Sequence, residues 1–376
     1  MSRKQFLVVL AVLAVLAVAA AGVSLSERSA WTSADSRAGQ NALAGLRISD
    51  VAEIGIRDSS GGLHLQRGPT GWSVRERADF PAETDRVAGL LVKLAEMKVV
   101  QSDALIDSQR ARLDLVEPSD KATGAGTSLE LKDAKGGVLG RVLLGKTIVK
   151  ASAAASMGRP QAEATGRYLV ANDEPGSVLA VGDPLLQVVA KPQEWLLKDL
   201  LRVEGSKTVS SSKGWTVTRN TESADWRFAG SGQRPDLQKA TDLASSLGWV
   251  NLVDVVADPA KADTGLDHPV KIQSQTFDGL KYTLDIGKQV DANYYVRFAV
   301  SGEPPKVRTP VKGEKAEDKA KNDKGFEERR KKLLDKVAGE KKLEAWTYLV
   351  SKTTLDPLLR DRQQLMPEKK KPAKKT

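Results

Sequence analysis

The chain has 376 residues, with 58 Lys and Arg against 48 Asp and Glu, two His and no Cys. Forty per cent hydrophobic residues over this length can bury a core of about two domains, which excludes a disordered chain. The lack of Cys excludes disulfides, thiolate zinc sites, a cysteine nucleophile and an N-terminal lipidated Cys, and two histidines cannot build a histidine-rich metal site.

The net charge of +10 invites a nucleic-acid reading, but its distribution argues against one. Arg3 and Lys4, the stretch 303–344 and the tail 368–375 hold the whole excess, and the remainder carries 37 basic and 37 acidic residues. A nucleic-acid footprint needs basic side chains grouped on a folded face, and a neutral body gives no reason to expect one.

Residues 1–5 read as a cytoplasmic n-region. The uninterrupted apolar run 6–23, FLVVLAVLAVLAVAAAGV, follows. Eighteen residues at about 1.5 Å each give roughly 27 Å, enough to span a bilayer core. With Arg3 and Lys4 ahead of it, the run is expected to hold the N-terminus inside and send the body outside. The rival reading is a signal peptide cut near Ala19-Ala20-Ala21. Both put the body outside the cytoplasm, in a periplasm or its equivalent. Residues 24–45 read as a juxtamembrane linker.

The body reads as two copies of one module, 46–199 and 200–366, because landmarks recur in order. Leu63-His-Leu-Gln-Arg67 and Gly71-Trp72-Ser-Val74 answer to Trp215-Thr-Val-Thr-Arg219 and Asp225-Trp226-Arg-Phe228. These predict hairpins of short alternating strands. A helix over 84–98 follows, with Thr84 at its N-cap and Val87, Leu90, Leu91, Leu94 and Met97 on one face. Its partner over 235–249 has Pro235 in the first turn and Leu237, Leu243 and Leu247 less strictly spaced. Leu115-Val-Glu-Pro118 matches Leu266-Asp-His-Pro269, and Leu143-Leu-Gly-Lys146 matches Asp285-Ile-Gly-Lys288. Tyr168-Leu-Val170 pairs with Tyr348-Leu-Val350, and Asp183-Pro-Leu-Leu186 with Asp356-Pro-Leu-Leu359. After the helix, each copy should add three or four more strands.

The drift in these offsets places an insert at 303–344, between the strand 293–300 and the strand 346–350. Its first half, rich in Pro, Lys and Glu, reads as disordered, and 326–343 as a polar helix. Residues 367–376 form a basic tail. The expected fold class is α+β: an N-terminal transmembrane helix, then two tandem copies of a mostly antiparallel sheet module with one covering helix.

Gly140-Arg-Val-Leu-Leu-Gly145-Lys146-Thr147 fits the phosphate-loop pattern letter for letter. That motif works only as a loop after a strand that opens a helix. Here Arg-Val-Leu-Leu reads as the strand itself, followed by a Gly-Lys turn, so no nucleotide is expected. His64 lies in an alternating strand and His268 before another; both read as structural. Trp72 and Trp226 offer a stacking platform for carbohydrate, but their recurrence favours packed roles. Asp254 and Asp258 lack the partners of a general acid and base. No catalytic, cofactor-binding or metal residue is assigned, and no enzyme is expected.

The strand-turn-Gly-Trp element, the helix, Leu-x-x-Pro, Leu-Gly-Lys, and Tyr-Leu-Val leading to Asp-Pro-Leu-Leu, behind a short anchor, resemble the bacterial domain-of-unknown-function family forty-three-forty. That resemblance covers the chain to about residue 365. It implies a protein encoded beside gliding-motility-type ABC transporters: a single-pass inner-membrane accessory or scaffold with its body in the periplasm and a transporter permease or auxiliary subunit as partner. The alternatives are an envelope glycan or wall-polymer binding module and, remotely, an envelope hydrolase. The Lys-rich insert departs from the family's short hairpin.

Overall fold

The computed structural model describes residues 37–119, 122–151, 162–172, 174, 176–310 and 314–367. The apolar run 6–23 and the tail from 368 lie outside them. No helix among the described residues is long and apolar enough to cross a membrane.

Alternating apolar side chains build the first sheet from β1 (Glu53–Asp58), β2 (Gly61–Gly68), β3 (Gly71–Val74), β4 (Phe80–Pro81), β5 (Val99–Ala104), β6 (Thr127–Lys132), β7 (Val138–Ala151), β8 (Ala162–Ala171) and β9 (Ser177–Val181). Its order is β4-β3-β2-β1-β6-β7-β8-β9-β5. Ile54, Ile56, Leu63, Leu65, Leu129, Leu131, Val142 and Leu144 are all buried at period two along their strands. Helix α1 (Thr84–Glu96) buries Val87, Leu90, Leu91 and Leu94 at the spacing expected of one face. Glu83 holds its N-cap position, one residue before the expected Thr84.

The second sheet comprises β10 (Asp199–Leu201), β11 (Ser206–Ser211), β12 (Trp215–Thr218), β13 (Arg227–Phe228), β14 (Val250–Val255), β15 (Val270–Thr276), β16 (Lys281–Val290), β17 (Asn293–Ser301) and β18 (Tyr348–Ser351), with helices α2 (Leu237–Gly248) and α3 (Ala316–Lys342). Its order is β10-β14-β18-β17-β16-β15-β11-β12-β13. In α2 the Asp236 carboxylate accepts from the Lys239 N–H at 3.1 Å, so Asp236, after Pro235, is the cap. Leu243 and Leu247 are buried, whereas Leu237 is 66 % exposed and Ala240 takes the inward position.

Apart from β4 and β10, the two sheets have the same strand order, and every shared neighbour pairing is antiparallel in both. Five strands, more than expected, follow the helix in each. By internal contacts the described chain forms one unit of residues 37–75 and 82–195 and a second of 76–81 and 196–367.

Strand order corrects one match between the copies. Tyr168 lies in β8, whose counterpart is β17, whereas Tyr348 lies in β18, the counterpart of β9. Through the registers Leu143↔Val170 and Asp285↔Arg297, the true partner of Tyr168 is Tyr295. Three recurring letters at a buried strand were a coincidence of β-propensity. The linker expected over 24–45 also ends too late. The Gly39 N–H donates to Val99 O at 2.8 Å, the Val99 N–H to Gln40 O at 2.9 Å, and Ala42 and Leu43 are buried, so the first fold begins by residue 39.

The insert is more ordered than its composition predicts. Helix α3 starts at Ala316, ten residues before the expected Phe326. Its later half turns Phe326, Arg330, Leu333, Lys336, Val337 and Glu340 inward at three- and four-residue steps. The buried Tyr282 hydroxyl donates to Glu340 Oε2 at 3.0 Å, and Lys336 Nζ reaches the Tyr282 hydroxyl at 3.1 Å and Arg202 O at 2.5 Å. The earlier half is clamped by Arg308, which bonds Glu314 at 2.6 Å and Asp323 at 2.8 Å.

Candidate functional site

The site with the most chemistry lies on the outer face of the first sheet, opposite the buried row. Registers define two rows of side chains there. One runs Gly62–Arg57–Ser128–Leu143–Val170, and the other His64–Gly55–Glu130–Arg141. The loop 105–118 roofs the apolar end, where Leu105, Leu115, Leu143, Val170 and Val178 form a small second core.

Two adjoining depressions result, sharing Glu117 and Arg141. The first, about 480 Å³, has Leu115, Leu143 and Val170 on its floor and Asp107 and Arg110 at its rim. The second, about 400 Å³, is polar, lined by Arg57, His64, Ser128 and Glu130, with glycines 55 and 62 baring the backbone.

Charges along the face are laid out as a ladder. Arg141 bonds Glu130 at 2.6 Å, Lys132 bonds Glu130 at 2.7 Å and reaches Glu53 at 3.6 Å, and Arg75 stands 3.9 Å from Glu53. Hydrogen bonds from Lys132 and Arg141 hold the Glu130 carboxyl below its ordinary value, and the bond to Glu130 holds the Lys132 ammonium above its own. Glu130 is thus a compensated anion, unsuited to proton transfer near neutral pH.

The phosphate-loop lookalike lies in the strand beneath this roof. Residues 140–147 lie inside β7, which continues to Ala151 without the expected turn. A Cβ on Gly145 would overlap the Leu113 carbonyl oxygen and come within 2.7 Å of Leu115 Cδ2. The bare Gly145 is where the Leu-x-x-Pro loop crosses the strand. Copy two repeats the crossing: a Cβ on Gly287 would overlap the Thr264 carbonyl oxygen and lie 3.2 Å from Leu266. The Arg167 guanidinium fastens the first crossing, donating from Nε to Gly145 O at 2.8 Å, and burial lowers its pKa.

The other singled-out residues are dispersed. His64 enters the polar depression, whereas the His268 side chain is 92 % exposed and 3.7 Å from Asp267. Trp72 and Trp226 are buried at equivalent positions, each opposite an arginine, Arg67 and Arg219, and neither offers a stacking face. Asp254 takes a two-pronged bond from Arg77 at 2.6 and 2.9 Å; Asp258 pairs with Lys261 at 2.8 Å. Among the described residues no group of three or more His, Asp or Glu is placed to hold a metal. Neither the rows nor the ladder was foreseen. The alternation in Thr-Ser-Leu-Glu-Leu-Lys of β6 was readable, but its cross-strand partners depend on register.

The same outer row in copy two is polar. Leu143, Val170 and Val178 are replaced there by Asp285, Arg297 and Thr347; Lys271 pairs with Asp285 at 2.8 Å and Arg297 with the Thr347 hydroxyl at 2.9 Å.

A family model described as Domain of unknown function (DUF4340) matches residues 72–269. The chain belongs to the DUF4340 family. The DUF4340 match opens on Trp72 of the first copy and closes on Pro269 of the second. It therefore spans the junction of the copies and takes in most of the outer-face groove. No curated protein and no solved structure matches the chain.

Proposed function

We propose that this DUF4340 protein is a non-enzymatic, single-pass inner-membrane accessory or scaffold of a gliding-motility-type ABC-transporter system. Its body lies outside the cytoplasm and works through protein–protein contacts. The observation that carries the reading is the duplicated sheet behind an apolar run: one chain offers two broad sheets of the same strand order, with outer charges largely paired among themselves. Such faces suit partner recognition better than turnover. The run 6–23 behind Arg3 and Lys4 supports the anchor and its direction. Co-purification from gently solubilised membranes should recover transporter subunits; recovery of the protein alone in several mild detergents would count against the proposal.

One observation favours envelope polymer binding as a second reading. Trp249 is 56 % exposed, with the Arg202 guanidinium 4.1 Å from its ring centre. Pull-down with purified cell-wall polymer, with and without Trp249→Ala, separates the two readings.

A further inference from the structure

We infer that the β5 edge of the first unit lies against the lipid surface, with the side chains of Val100, Ile106 and Leu186 at the boundary between headgroups and acyl chains. This inference rests on the membrane anchor in the reading above.

Three observations lead to it. The first is where the tether arrives. Residues 24–36 separate the apolar run from the described chain, and whatever their conformation they span at most about 45 Å. They join the body beside β5, the last strand of the first sheet. Asn41 bridges Lys98 in the antiparallel sense, the Gly39 N–H donates to Val99 O, and the Arg37 guanidinium bonds the Glu174 carboxylate in the turn between β8 and β9. The Gln40 N–H donates to Arg37 O, which turns the chain at that point, and among the described residues no strand pairs beyond β5.

The second is what this edge shows to solvent. Val100, Ile106 and Leu186 are each more than half exposed. Val100 follows the residue bonded to Gly39 and Gln40, and its Cγ2 stands 3.7 Å from a notional Cβ on Gly182, four residues before Leu186. Ile106 follows Leu105, whose N–H donates to Gly176 O beside the turn that holds Arg37. One exposed aliphatic is ordinary, but these three flank the point of entry. They are too few for a stable protein interface, whereas a surface held close by a tether needs only a weak apolar contact. The charges here favour no ionic partner: Arg37 is taken by Glu174, the Gln101 amide bonds Asp103 at 2.7 Å, and the exposed Lys98 is offset by the exposed Glu96.

The third is divergence between the copies. By strand order β14 is the counterpart of β5, and counted from Val99 and Val250 the positions of Val100 and Ile106 hold Asn251 and Ala257. Leu359, the counterpart of Leu186, is half-buried. In the second sheet β10 covers this edge, with Asp199 opposite Asn251. The edge that receives no anchor is thus capped by a strand and lacks the exposed aliphatics.

The test uses the full chain reconstituted in phosphatidylcholine vesicles, with and without a lipid bearing a doxyl quencher near the top of its acyl chain. Because the sequence has no Cys, Val100→Cys, Ile106→Cys, Leu186→Cys and the control Ser59→Cys each carry a single NBD fluorophore. Ser59 is exposed in the turn between β1 and β2, five strand spacings or roughly 24 Å across the sheet from β5. Quenching at the three edge positions should be about threefold that at Ser59, as expected for side chains seated ~5–10 Å into the headgroup–acyl boundary. It should persist at about 1 M salt, where the Debye length is roughly 3 Å. Ile106→Asp together with Leu186→Asp should bring the Val100 label down to the level of Ser59. Equal quenching at all four positions, loss of the difference in salt, or indifference to the paired Asp substitutions would each overturn the inference. If the protein floats with the vesicles but the edge labels stay unquenched, the lipid-facing edge is wrong and the anchor survives. If the protein does not float, both fall.

Discussion

Adding one methyl group at Gly145 should distinguish a strand pinned beneath a loop from a phosphate cradle. A Cβ there overlaps the Leu113 carbonyl oxygen and approaches Leu115 Cδ2 to 2.7 Å, and both belong to the tight loop over β7. If loop and strand hold their places, overpacking costs about 1–3 kcal/mol. If the loop lifts instead, the fully buried Leu115 is returned to water for about 2–3 kcal/mol. The Arg167 bond to Gly145 O then weakens for about 1 kcal/mol more. Removing Gly from a strand returns roughly 0.5–1 kcal/mol, and the fold takes the cheaper route, so Gly145→Ala should destabilise the first unit by about 1–2 kcal/mol. Gly140, the first glycine of the same eight-residue match, has nothing nearer its notional Cβ than Leu43 Cδ2 at 3.4 Å, and Gly140→Ala should cost under about 1 kcal/mol. Urea titration followed by circular dichroism reads both as midpoint shifts. A Gly145→Ala loss below about 0.5 kcal/mol, or equal losses at the two glycines, would refute the crossing argument.

Two acids should leave opposite marks on the pH dependence of stability. Burial, outweighing the Lys336 charge, raises the Glu340 carboxyl, so its favourable term is complete below the unfolded pKa and is lost as pH climbs through the folded value. Glu340→Gln should flatten the stability curve on that rising side. Glu130 is lowered, so its term is present above the unfolded pKa and lost as pH falls through the folded one; Glu130→Gln should remove stability only on the neutral side of that fall. Urea midpoints across pH 4–8 check both. Ala78 is exposed at φ 53°, so Ala78→Gly should stabilise the second unit by about 0.5–1 kcal/mol in the same titration. Arg308→Ala should release the first half of α3, seen as faster amide exchange over 316–325 with 333–342 unchanged.

Much of the fold was legible because period-two and three-to-four spacing report burial directly. Val87, Leu90, Leu91 and Leu94 lie where the spacing puts them, and Trp72 and Trp226 are equivalent by register as well as by letter. What failed depended on pairing. The Tyr-Leu-Val repeat points to the wrong strand because short β-rich words recur without regard to neighbour order. Gly145-Lys146 read as a turn because a glycine that admits a crossing loop looks in sequence like one that bends the chain. The early turns of α3 looked disordered since each side chain is polar; the Arg308 clamp that orders them bridges from a preceding segment. The groove was invisible because its two rows assemble from five strands and a loop whose register no linear pattern records.

The insertion in copy two has a practical corollary. Residues 302 to 347 leave β17 and return to β18, yet these strands remain hydrogen-bonded neighbours, with Val296 opposite Tyr348 and Tyr294 opposite Val350. The strands that bracket the detour are thus neighbours, and the entropy of closing a long detour grows only slowly with its length. The later turns of the insert belong to the fold, so a reporter domain is best spliced at the exposed Lys306 and Val307, which leaves Val337 and Glu340 buried and both strands in register.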